Sequence, residues 1–130
     1  MRITIARTAR ATCAALVTLL ALACTTRSSA PISTGLEGTV TRGPIQPVCQ
    51  VNQPCDAPFS ATFLVMAGGR QVASFQSDSA GHYEVMLVPG SYTIVAGAGA
   101  PILPGGQSHD VTVGPTGLTH TDLTFDTGIR

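Results

Sequence analysis

Two pairs of side chains in this 130-residue sequence have the makings of an acid–base couple: His82 with Glu84, and His120 with Asp122. On an extended strand, residues i and i+2 share a face about 6.5–7 Å apart. Each pair could therefore offer two ligands to a metal ion, or a general acid and a general base. The same spacing has a plainer meaning. If Tyr83, Val85 and Leu87 face a core on one strand, and Leu123 and Phe125 on another, the His and acid residues are simply the solvated alternates. His109-Asp110 falls in an expected turn and adds little. No HExxH, nucleophile elbow, phosphate loop or calcium loop is present, so the pattern calls for no cofactor. The favoured reading is non-enzymatic. The alternative is a small exported hydrolase or metal-binding protein using His82, Glu84, His120 and Asp122.

The cysteines point to a compartment rather than to catalysis. Arg2, Arg7 and Arg10 precede the apolar run 11–23, which is too short to cross a bilayer permanently and reads as a removable signal peptide over 1–23. Ala21 and Ala23 suit an ordinary signal peptidase, whereas Ala23-Cys24 at the end of a Leu-rich run resembles a bacterial lipobox. Removal of the leader takes Cys13 and leaves Cys24, Cys49 and Cys55. In an oxidising compartment Cys49 and Cys55 are close enough in sequence to pair, and acylation of Cys24 would consume the odd thiol. Two or three acyl chains hold a protein on a membrane where one is marginal. The expected location is thus the cell envelope, with the membrane as one partner through the lipid anchor and an unknown envelope protein as another; a periplasmic or secreted product is the alternative.

Composition narrows the classes further. Charged residues are 11% of the chain and hydrophobic ones 44%, with 14 Gly and 9 Pro, which argues for a folded, turn-rich domain over a disordered one. All seven basic residues are Arg, and after the leader four remain against seven carboxylates, a net charge of −3. No basic surface is left for nucleic acid.

What must position the His and acid pairs is a set of short strands. Residues 24–34 (CTTRSSAPIST) read as a flexible tether of about 16–19 Å average span. From 35 to 130 the pattern is period two, with strands expected over 36–41, 59–67, 71–76, 83–87, 92–96, 111–113 and 118–126. Turns follow at Gly68-Gly69, at 77–81, where Asp78 can cap its own backbone and Gly81 can take positive φ, and at Pro89-Gly90. These seven strands predict an all-β, Greek-key β-sandwich. The Pro-rich loop 43–58 carries Cys49 and Cys55, whose closure into a ring would contribute about 2.4 kcal/mol in the loop-entropy account.

Two segments, Ser77-Asp78-Ser79-Ala80-Gly81-His82-Tyr83 and Leu87-Val88-Pro89-Gly90-Ser91-Tyr92-Thr93-Ile94, resemble the turn motifs of carboxypeptidase regulatory-like domains, a group of transthyretin-like sandwiches. The resemblance spans about 35–126 and implies a non-catalytic accessory module. The hydroxyisourate hydrolases of the same fold end in a Tyr-Arg-Gly-Ser tail that this sequence lacks, so that activity is not implied. Ile102 and Leu103, in the Gly- and Pro-rich segment 97–106, are candidates for an apolar interaction loop, or else fold back over one end of the sandwich. An aromatic platform for carbohydrate is not expected, because there is no Trp and the core needs most of the Phe and Tyr.

Overall fold

A computed structural model describes residues 28–98, 100, 102 and 107–130. The expected signal peptide, Cys24 and Leu103 lie outside the described residues. Nine strands form two sheets: β1 (Gly35–Gly43), β2 (Ala57–Pro58), β3 (Thr62–Ala67), β4 (Arg70–Gln76), β5 (His82–Met86), β6 (Gly90–Ala96), β7 (Ser108–Val113), β8 (Leu118–His120) and β9 (Leu123–Asp126). In the first sheet β1 is central, antiparallel to β5 and β2 and parallel to β8 and β9. The second sheet runs β4-β3-β6-β7, all antiparallel. The protein is an all-β sandwich.

The expected seven strands become nine for two physical reasons. The segment predicted as one strand over 59–67 changes sheets. The two residues before it, expected in the loop, pair with β1 as β2, the Phe59 N–H still donates to the Val40 carbonyl (2.9 Å), and from Thr62 the chain joins the second sheet. Buried Ser77 fixes the crossing, its hydroxyl bonding the Phe59 carbonyl and accepting from the Ala61 N–H at 3.1 Å. The last expected strand is interrupted at residues 121–122 and so counts as β8 and β9.

Period-two burial holds as read. Tyr83, Val85 and Leu87 point inward while His82, Glu84 and Met86 are exposed, and Tyr92 and Ile94 are buried on β6. Leu36, Val40, Phe63, Val65, Leu123 and Phe125 complete the middle of the interior. The rings form a continuous chain between the sheets: Phe125 to Phe63 at 5.3 Å, Phe63 to Phe75 at 5.2 Å, and Phe75 stacked on Tyr83 at 4.5 Å. All six aromatic residues of the protein are buried. None remains to serve as a carbohydrate platform.

The turn 77–81 is built by local chemistry. The Asp78 carboxylate accepts the N–H groups of Ala80 and His82, both at 2.9 Å, and Gly81 has φ of 79°. Cys49 and Cys55 form a disulfide across the 43–58 loop. Ile102 is buried in the core cluster, so it does not present an apolar tip to a partner; it takes the other role open to it, closing one end of the sandwich.

Candidate functional site

The two His–acid pairs singled out in the sequence lie close together on the outer face of the first sheet. The ladder sets Glu37 of β1 opposite Glu84 of β5 on one side and opposite His120 of β8 on the other, with Thr39 opposite His82. Glu84, Glu37 and His120 thus form a row across three strands. Around it is an open depression of about 580 Å³ lined by Glu37, Gly38, Thr39, Gln76, His82, Tyr83, Glu84 and His120. Glu37 is the member that sequence reasoning missed. Its exposed place opposite Leu36 in the alternation of β1 was the only signal, and strand pairing alone brings it between the other two.

Proximity does not make these groups converge. His120 Nε2 lies 3.3 Å from Asp122 Oδ2, and His82 Nδ1 lies 3.7 Å from Asp78 Oδ2, so His82 turns to the preceding turn and not to Glu84. No group of three His, Cys, Asp or Glu side chains among the described residues is arranged to hold a metal ion. His109 stands in β7 and not in a turn, with Nε2 2.8 Å from the Thr124 carbonyl and its ring edge-on to Phe125 at 4.8 Å. Its neighbour Asp110 accepts the Thr93 hydroxyl at 2.8 Å.

The electrostatics of the depression are set by one backbone irregularity. Gly38 has φ of 157°, and a side chain there would run into the Thr121 carbonyl. The chain pulls away from β1 at residues 121–122, and three other hydrogen bonds fill the gap. Thr121 N–H donates to the Glu37 carbonyl at 2.8 Å, Thr39 N–H donates to Asp122 Oδ1 at 2.9 Å, and the Tyr83 hydroxyl donates to the Thr121 carbonyl at 2.6 Å. The Thr39 N–H holds the Asp122 carboxyl below the usual carboxylate range; desolvation opposes this, and the hydrogen bond and charge of His120 add to the lowering. Tyr83 is pushed up to about 12, first by burial and then by the nearby Asp122 charge. Asp122 is therefore occupied as a strand-joining acceptor, and Asp78 as a turn cap.

The sandwich is similar to that of a minor pilin. The structure of GBS52 from the Gram-positive pathogen Streptococcus agalactiae superposes with a TM-score of 0.51 at 17% identity, over 72% of this chain and 44% of that one. A DUF3823 family protein from Bacteroides ovatus gives a TM-score of 0.44 at 20% identity, over 68% of this chain and 44% of that one. The chain thus spans less than half the length of either protein. No family model and no curated protein matches the sequence. The likeness to the pilin is one of fold, and it is compatible with the transthyretin-like architecture expected from the turn motifs.

Proposed function

We propose that this protein is an exported, lipid-anchored, non-enzymatic sandwich that acts in the cell envelope by protein interaction or as a structural element. The observation that carries this reading is the use to which the chemistry-bearing residues are put. The two carboxylates closest to histidines are spent on backbone N–H groups, Asp122 on Thr39 and Asp78 on Ala80 and His82. A catalytic or metal-binding role needs at least three such groups aimed at one point. The Cys49–Cys55 disulfide supports an oxidising destination. Among the described residues no helix is long and apolar enough to cross a membrane, and in this reading attachment comes from acylated Cys24.

The experiment has two parts. The mass of the mature N-terminus reports whether Cys24 carries diacylglycerol, and cross-linking of the intact protein in its native envelope identifies what it touches. An unmodified Cys24 removes the anchor. Stoichiometric zinc binding that is lost in His120→Ala would transfer the argument to the metal-binding alternative.

A further inference from the structure

The large apolar side chains left exposed fall into separate places, and one of them coincides with the exit of the tether. Ile32 is 49% exposed, Met86 42% and Val88 54%. They belong together by register: Gly35 pairs with Met86, and one residue further out Thr34 is bonded twice to Leu87, its carbonyl accepting the Leu87 N–H at 2.9 Å and its hydroxyl donating to the Leu87 carbonyl at 2.6 Å. The same end of the sandwich carries the 68–69 turn, because Met66 of β3 pairs with Thr93 near the start of β6.

Charge divides the molecule along the same axis. Among the described segments at the tether end, 28–34, 67–70, 86–91 and 113–118, the single charged residue is Arg70. The charged groups Arg42, Asp56, Asp78, Asp126 and Arg130 lie in or beside the loops of the opposite end, where Thr127 following β9 bonds Gly43 at the end of β1. Both ends expose apolar side chains, but Ile45, Val48 and Val51 of the opposite end share their loop with Asp56, whereas the tether end has one cation and no carboxylate, which suits the boundary between headgroups and acyl chains better.

The length of chain before Thr34 limits how far that end can stand from the anchor. Residues 25–34, ten in all, connect Cys24 to β1. Fully stretched they reach about 33–36 Å, and on average about 16–19 Å, less than the length of an extended strand of seven residues. We infer that the sandwich rests on the phospholipid bilayer through its tether end, with Ile32, Met86 and Val88 against the lipid and Arg70 at the headgroups. This rests on the lipid-anchored reading proposed above and adds to it an orientation: the charged end, with the disulfide loop, faces away from the membrane and is the side open to a partner.

The test uses the full chain, exported and acylated by a bacterial host, then reconstituted in vesicles of phosphatidylethanolamine and phosphatidylglycerol containing a spin-labelled lipid. A polarity-sensitive fluorophore is placed on Val88→Cys, or on Ser79→Cys in the turn at the opposite end; both positions are exposed. Emission from position 88 should shift to the blue and be quenched by the lipid label, consistent with insertion of about 5–10 Å. Emission from position 79 should stay water-like and unquenched. Adding Met86→Asp and Arg70→Glu should abolish the quenching at 88 with no change in thermal unfolding. Equal signals at the two positions on a protein whose N-terminal mass shows acyl chains would overturn the orientation and leave the anchor standing. An unacylated terminus would overturn both.

Discussion

Replacing Tyr83 by Phe removes one hydroxyl and leaves the ring on Phe75. In the protein that hydroxyl donates to the Thr121 carbonyl at 2.6 Å, at the gap between β8 and β9. Thr121 is only partly buried, so its carbonyl can be rehydrated, and the loss at neutral pH should be about 1 kcal/mol, near the middle of the range for a net hydrogen bond. The pH dependence is more discriminating. Tyr83 is pushed from its ordinary value to about 12 by burial and by Asp122. A group whose folded pKa is raised contributes stability that is complete below its unfolded pKa, about 10 for Tyr, and lost as pH rises through the folded value. Between pH 10 and 12 the native protein should therefore lose about 2 kcal/mol through this group, while Tyr83→Phe cannot. All other titrating groups are common to both proteins and cancel in the difference. The two stability curves should then cross near about pH 11, with the variant the more stable above it. Urea denaturation followed by circular dichroism at a series of pH values measures this directly. A difference that stays flat from neutral pH to pH 12 would refute both the burial of the hydroxyl and its role in the gap.

Three further outcomes follow from individual contacts. Asp126 is held down at about 2, first by the side-chain hydrogen bond from Arg130 and then by the Gly128 N–H; its contribution is present above the ordinary carboxylate range and lost as pH falls through about 2. In Arg130→Ala an NMR titration should find this carboxyl raised toward the usual value, and an unchanged value would discount the ion pair. Asp122→Asn should speed hydrogen exchange at the Thr39 amide, because the amide side chain is a weaker acceptor than the carboxylate now 2.9 Å away. Removing Cys49 and Cys55 together should lower stability by at most about 2.4 kcal/mol while leaving the near-ultraviolet signal of the core rings unchanged, since the bridge closes a loop outside the core.

What could be read from the sequence is what depends on neighbours along the chain. Alternation placed Tyr83, Val85, Leu87, Tyr92 and Ile94 inward because burial on a strand repeats every second residue. The 77–81 turn was readable because Asp78 and Gly81 make it by themselves. The proximity of the two His–acid pairs was not, since it arises from β1 lying between β5 and β8. His109 lies in β7 and not in the expected turn for the same reason: β7 is defined by pairing with β6, and the residues before it carry no period of their own. Ile102 was ambiguous because one apolar residue among Gly and Pro has no alternation to orient it.

The gap at residues 121–122 shows how a non-local contact can create something that looks like a catalytic couple. On a continuous strand His120 and Asp122 would sit about 6.5–7 Å apart. Here the chain leaves the ladder after His120, the Asp122 carboxylate takes the Thr39 N–H with one oxygen, and its other oxygen lies 3.3 Å from His120 Nε2. The pair is therefore a consequence of a glycine more than eighty positions earlier. Gly38→Ala tests this, since its Cβ would meet the Thr121 carbonyl and its φ of 157° is costly for any other residue. The substitution should destabilise the protein by about 1–3 kcal/mol. It should also release Asp122 from Thr39, so that its carboxyl titrates closer to the ordinary range, while the Asp126 titration, at the far end of β9, stays where it was. If Gly38→Ala preserves both the stability and the lowered Asp122 pKa, the gap does not depend on the glycine, and the proximity of His120 and Asp122 needs another cause.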